Sequence, residues 1–512
     1  MELSQKENTK RIAKNTLMLY VRMLFGMLVS LYTSRVVLQA LGVEDYGIYN
    51  VVGGVVAMFS LLSGSLSAAV SRFLTFELGR NDLERLKKVF SSALCVHALL
   101  ALVVFVLSET IGVWFLNYQM NIPADRMVAA NWVFQFSIFS FLLGLFSVPY
   151  NASIVSHERM GIFAFVGIGD SILQLCIVLF IAYGGVLADK LILYAGLLVL
   201  KGVLFQLFYF YYCRKSFEEC RFKLVSDKPL LKEMTGFAGW NFLGAGSALL
   251  MTQGVNILIN VFFGVALNAA RGIANQVDAA VQQFVNNFTT AINPQITKSY
   301  ASEDLSYMHA LICLGSKYSF FLTWFFALPI LLETDAILHI WLKTVPDDAP
   351  IFLRLTLCVS LISVISNTLV TSMLATGNIK RYQIIVGGLG LCVFPFSYFA
   401  YKCGFPVETA YIIHLCVFVT QLVARLFLLR GMIKLQIKYF WENALVKDFK
   451  VVVISGILPL ILYLFIPASI LKSVLIVLIS FFFTIMSIYF FGMTVNEKEI
   501  LQSYIQKIKF KL

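Results

Sequence analysis

The chain has 512 residues, 59% of them hydrophobic and only 13% charged, with a formal net charge of +12 and a mean hydropathy of +0.82. No water-soluble domain of this size tolerates that composition, so the expected fold class is an all-α polytopic membrane protein. The excess of basic residues raises nucleic-acid binding as a function, and their distribution along the chain excludes it.

Apolar runs long enough to span a bilayer recur from end to end. They give about fourteen expected helices, near 13–37, 46–70, 88–115, 127–150, 161–184, 191–212, 236–263, 268–292, 311–332, 350–376, 382–402, 408–430, 450–467 and 469–492. Residues 1–12 are polar and basic. The apolar stretch after them is too long for a signal-peptide core and lacks a small-residue cleavage site, so it is read as a retained first helix. With the N-terminus in the cytoplasm, the inside segments hold 28 of the 40 Lys and Arg residues, and the outside segments or helix ends hold five: Arg126, Lys190, Lys343, Lys402 and Lys472. That asymmetry follows the positive-inside rule, so the charge reports orientation and contact with anionic lipid headgroups. Nine cysteines, an odd number with six inside expected helices, point to core packing and not to disulfides or zinc.

Four regions follow. Residues 1–212 are an expected N-terminal six-helix bundle, 213–235 a basic cytoplasmic linker, 236–430 a second six-helix bundle, and 431–512 two additional helices with a basic tail. The two additional helices show no definable polar stripe and look like an appendage. Residues 263–308 echo 41–86 at an offset of 222. Leu41-Gly42-Val43 answers Phe263-Gly264-Val265, and Asn81-Asp82-Leu83 answers Glu303-Asp304-Leu305. Between them Ser60, Ser67 and Ser71 fall in register with Gln282, Thr289 and Asn293. An internal repeat around a midplane site is a common construction among secondary transporters.

The eighth expected helix is the least membrane-like. Arg271, Asn275, Asp278, Gln282, Asn286 and Thr289 recur at spacings of three and four and share one face. Facing lipid, the Arg and the Asp would each cost roughly 2.5 to 3.5 kcal/mol, so that face is expected to point inward. Helix 7 adds Gln253, Asn256 and Asn260. Helix 2 adds Asn50, Ser60 and Ser63, and helix 1 adds Asn15, Arg22, Ser30 and Thr33. These four helices are expected to line one polar, partly cationic cavity. A single Ser or Asn in a membrane helix more often bonds helix to helix, whereas buried ionisable groups are more often functional. Arg22, Arg271 and Asp278 therefore lead the candidates, against the alternative that Arg271 snorkels to the outer interface. Asp170 and Gln174 form an i,i+4 pair in helix 5 and Lys201 lies about halfway along helix 6; these are secondary candidates for lumen charge or ion coupling. Asp278 and Asp170 are the candidates for proton or sodium coupling; no cofactor or metal is expected. Lys317, Arg354 and Arg425 are expected to snorkel, and His97 and His414 to be packed.

No Gly-rich loop ending in Gly-Lys-Ser/Thr is present, and Ser156-His157-Glu158-Arg159 is not a zinc-protease motif, so the chain is expected not to be an enzyme. A membrane-embedded glycan polymerase is disfavoured because the longest outer loop, 333–349, carries only Lys343.

The run from Ser34 to Asn50, with its core Leu41-Gly42-Val43-Glu44-Asp45-Tyr46-Gly47-Ile48-Tyr49, resembles the first helix-to-helix junction of the bacterial polysaccharide (O-antigen type) flippases of the multidrug, oligosaccharidyl-lipid and polysaccharide exporter superfamily. In the second half Asn268 and Arg271 replace Tyr46 and Tyr49, so the motif carries no function there. The resemblance implies a flippase of the bacterial inner membrane, with both termini cytoplasmic. Its substrate would be an undecaprenyl-pyrophosphate-linked oligosaccharide destined for surface polysaccharide. A polysaccharide polymerase and glycosyltransferases are the implied partners. The alternatives are a cation-coupled multidrug exporter of the same superfamily and a peptidoglycan-precursor flippase.

Overall fold

The computed structural model describes residues 2–499 and 502, apart from 58, 119–121, 186–188, 224–226, 264, 342–344, 347, 468 and 496. Within that set the side chains of 2–10, 31, 34, 35, 38, 43, 44, 46, 47, 50, 51, 53–57, 60–62, 260, 265, 266, 268 and 269 are not described. Among the described residues every regular element is helical. The long helices are α1 (Glu2–Ala57), α2 (Ser60–Arg80), α3 (Leu83–Tyr118), α4 (Ala124–Ser156), α5 (Met160–Tyr183), α6 (Lys190–Ser216) and α7 (Lys228–Phe263). They continue with α8 (Val265–Ala301), α9 (Leu305–Leu332), α10 (Ala349–Thr376), α11 (Lys380–Lys402), α12 (Thr409–Ile433), α13 (Ile437–Phe465) and α14 (Ile470–Gly492).

Twelve of these are long and apolar enough to cross a membrane by length and composition. The two that fall short are α2 and α8, the helices that carry the serine row and the Arg271 stripe. A polar face lowers mean hydropathy without shortening the helix, so the count of apolar spans understates the count of long helices.

The first junction is tighter than expected: α1 is two helices that meet at a kink, where Gly42 leaves the helical conformation at φ 84° and ψ 169°. No heavy atom would meet a Cβ at Gly42, so the backbone conformation, and not lack of space, demands glycine there. Beyond it Ile48 and Val52 are buried with Val133, Phe134 and Ile138 of α4 and Leu191 of α6. Arg126 braces the same end. Its Nε donates to Asp45 Oδ1 at 2.8 Å and its Nη1 to Asp189 Oδ2 at 2.6 Å. Asp189 also caps α6 by accepting from the Leu191 and Ile192 amides.

The internal repeat is visible in the turns. Asn81 (φ 57°) and Glu303 (φ 61°) both take the left-handed conformation. Each is followed by an Asp that caps the next helix, Asp82 accepting from the Arg85 amide and Asp304 from the Tyr307 amide. The backbone bonds match at the same offset: Asp82 N to Glu77 O answers Asp304 N to Ser299 O. Two further turns pair in the same way, Glu158 with Gly377 and Gly185 with Gly404, all at positive φ.

The described chain divides into two compact units, Lys14–Phe242 and Met1–Ala13 with Leu243–Leu512. The division lies inside α7 and not in the basic segment 213–235. That segment is no free connector, because α6 runs on to Ser216 and Phe217, Glu219 and Cys220 are buried in the N-terminal unit. Glu219 Oε1 lies 2.6 Å from His157 Nε2. The last two helices are likewise not an appendage without a polar stripe. Ser480, Thr484 and Ser487 form a buried row on α14, and Trp324 of α9 donates to Ser455 Oγ of α13 at 2.9 Å. Lys317 does not snorkel. It is 2% exposed and holds Glu497 at 2.9 Å.

Two predictions follow from the junction. Gly42→Ala is expected to destabilise the protein by about 1 to 3 kcal/mol, whereas Gly64→Ala, in an unhindered helical position, is neutral or slightly stabilising; thermal unfolding of the purified protein compares them. Burial opposes ionisation of Asp189, but the hydrogen bonds from Arg126 and from the α6 amides outweigh it and hold the carboxyl below its ordinary value. The stabilisation from this group is therefore present above about pH 4 and fades as pH falls below that. The stability difference between wild type and Asp189→Asn should be constant from neutral pH to about pH 4 and shrink below it.

Candidate functional site

In the C-terminal unit four helices line an open cavity of about 410 Å³, with mainly polar residues contributed by α7, α8, α10 and α12. On α7 a π-helical turn over Leu250–Gly254 widens the helix by one residue, a feature often found at functional sites. The carbonyl of Thr252 in this turn accepts from Arg271 Nη2 at 3.4 Å. Gln253 and Asn256 stand beside it, Asn256 Nδ2 donating to Gln253 Oε1 at 2.8 Å.

α8 supplies Arg271, Asn275, Asp278 and Gln282 to the cavity, as their spacing on one helical face requires. Arg271 is only 5% exposed, so it does not reach an outer interface. Its guanidinium lies over the Tyr411 ring at 5.4 Å. Nε and Nη1 have no hydrogen-bond partner, and no ion pair joins Arg271 to a carboxylate among the described residues. Asp278 is engaged elsewhere, accepting from Ser360 Oγ at 2.6 Å and bonding to Gln282. The one cation and the one carboxylate lining this cavity sit two turns apart on α8 and form no ion pair.

Sequence reasoning missed half of this wall. Thr356, Ser360 and Ser363 of α10 and Tyr411, His414 and Phe418 of α12 also line the cavity. Their helices look like ordinary apolar spans, and a spacing of three and four between Ser and Thr residues on α10 was the available signal. His414 stacks on Phe418 at 5.1 Å. The expected stripe on α8 also breaks at its inner end. Asn286 is exposed and does not line the cavity, its carbonyl accepting from Thr289 and Thr290.

The N-terminal unit holds its own charged group. Arg22 lies with its guanidinium 4.3 Å from the Phe163 ring centroid and packs over Gly167, where a Cβ would collide with it. Lys201 Nζ bonds Asp170 Oδ1 at 2.9 Å and Gln174 Oε1 at 3.0 Å, and Gln174 Nε2 donates to Tyr194 at 3.1 Å. The structure thus brings Arg22, Asp170, Gln174 and Lys201 together. Ser30 is exposed and Ser63 half-buried, neither in this group. The side chains of Asn50, Ser60 and Asn260 lie outside the described residues.

Comparisons with known proteins place this architecture. No protein-family profile matches the chain. Solved structures do. A MATE transporter in its straight conformation superposes with a TM-score of 0.72 at 15% identity, over 83% of this chain and 96% of that one. The chain has the MATE fold. The outward-facing form of a multidrug resistance MATE family transporter of the MOP superfamily gives 0.70 at 14% identity with the same coverage. In sequence the chain is similar to the uncharacterized membrane protein EpsK of Bacillus subtilis (strain 168), 20% identical over 284 residues. That match covers 55% of this chain and 55% of EpsK, so the chain spans little more than half the length of the curated relative it matches.

Arg271 buries two unpartnered donors at a cost of about 1 to 3 kcal/mol each. Arg271→Met should therefore leave the thermal midpoint unchanged or raise it, whereas Ser360→Ala, which strips a hydrogen bond from a carboxylate, should lower stability by about 1.5 to 3 kcal/mol. A large loss of stability in Arg271→Met would mark the guanidinium as a structural strut instead.

Proposed function

We propose that the chain is a flippase that carries undecaprenyl-pyrophosphate-linked oligosaccharide from the inner to the outer leaflet of a bacterial cytoplasmic membrane, with both termini cytoplasmic. The observation that carries this is Arg271, a buried cation with free donors in a cavity of amides and hydroxyls. A glycan headgroup would lose many water hydrogen bonds in hydrocarbon; Gln253, Asn256, Asn275 and Gln282 offer replacements. Arginine presents a planar fork matched to pyrophosphate or a sugar carboxylate. The lipid tail stays in the bilayer. Transport by alternating access suits a MATE fold built of two similar halves, and Asp278 and Asp170 remain the groups through which a proton or sodium gradient would act. A polysaccharide polymerase and glycosyltransferases are the partners such a step requires.

A second function has support of its own: the solved relatives include a multidrug resistance transporter. Against it stands the unpartnered cation, since a cationic drug is repelled by Arg271.

Deleting the gene should make undecaprenyl-linked glycans accumulate on the inner leaflet. Arg271→Ala or Arg22→Ala should each abolish surface glycan while the protein still inserts normally. Unchanged glycans together with raised dye sensitivity in the deletion strain would favour drug export.

A further inference from the structure

The N-terminal unit contains two cations and one carboxylate in a single neighbourhood, and the way they pair decides which cation is left for a ligand. Arg22 packs over Gly167 of α5, and Asp170 stands three residues further on, on the same helical face. Asp170 acts electrostatically on Arg22, together with Tyr209. A carboxylate in the same neighbourhood is the natural partner for a guanidinium. Yet Asp170 is bonded to Lys201 at 2.9 Å, while Arg22 rests on the Phe163 ring.

Lys201 is itself fixed. Its second acceptor is Gln174, one turn beyond Asp170, and Gln174 is held by Tyr194. A chain of hydrogen bonds from Tyr194 through Gln174 and Lys201 to Asp170 therefore keeps the ammonium over the carboxylate. Networks of this kind are worth more than their separate bonds.

We infer that Lys201 is a positioning residue that occupies Asp170 and so leaves Arg22 uncommitted for an anionic ligand. This rests on the flippase proposal only for the nature of the ligand; the pairing itself is a property of the unit. In the C-terminal unit the carboxylate is likewise bonded to other side chains, Asp278 to Ser360 and Gln282. Removing Lys201 frees Asp170 to capture Arg22, and the cation is lost to the ligand although Arg22 is still present.

Two measurements on the purified full-length protein test this. Labelling of Arg22 by phenylglyoxal, read by mass spectrometry, should fall about fivefold in Lys201→Met, the change that about 1 kcal/mol of added pairing produces. It should return to the wild-type level in Lys201→Arg and in the double variant Lys201→Met with Asp170→Asn. Retention of undecaprenyl pyrophosphate should follow the same order, with Arg22→Ala as weak as Lys201→Met. A merely structural lysine predicts no rescue by neutralising Asp170. Unchanged Arg22 labelling in Lys201→Met, or no recovery in the double variant, overturns the inference. Labelling that follows the expected order in a wild-type protein that retains no undecaprenyl pyrophosphate upholds the pairing and overturns the flippase proposal instead.

Discussion

A guanidinium buried among membrane helices without a carboxylate is the constraint around which the C-terminal unit is arranged. Arg271 is always charged, and burying a charge of that kind without a partner costs several kcal/mol. The surrounding residues offset only part of this: the Tyr411 ring beneath the guanidinium and one backbone carbonyl in the π-turn of α7, which it shares with the Val255 amide. Asp278, two turns and about 10 Å further along the same helix, is bonded to Ser360 and does not neutralise the guanidinium.

The N-terminal unit reaches a similar end with different residues. Arg22 and Arg271 each rest on an aromatic ring, Phe163 and Tyr411, which supports a cation without neutralising it. In each unit a carboxylate of the same group is bonded elsewhere, Asp170 to Lys201 and Asp278 to Ser360. That likeness extends to the backbone, where Asn81 and Glu303, Glu158 and Gly377, and Gly185 and Gly404 turn the chain in matching ways. Three pairs of left-handed turns in the same order are stronger evidence of duplication than the few identities in the aligned segments.

The helical class and the α8 stripe were legible in the sequence, because burial in a bilayer writes itself into composition and a polar face writes itself into a spacing of three and four. The junction was legible only as a motif, because the role of Gly42, a kink at φ 84°, is a backbone conformation that composition and spacing do not show. What could not be seen were contacts between residues far apart in the chain. Ser360 and Tyr411 look like ordinary members of apolar helices, and only packing brings them to Arg271. Lys317 looked like a snorkelling lysine because Glu497, which holds it, lies beyond the last membrane helix. The segment 213–235 looked like a linker because its basic residues dominate its composition, while Phe217 and Cys220 do the packing.

The account stands most directly on translocation itself. Proteoliposomes containing the purified chain and undecaprenyl-pyrophosphate-linked oligosaccharide in both leaflets, exposed to a glycan-cleaving enzyme on the outside, report whether the protected inner-leaflet pool becomes accessible. The account predicts that wild-type protein exposes that pool and that Arg271→Met does not. Protection equal to that of protein-free liposomes, in a preparation that transports an organic cation, would contradict it.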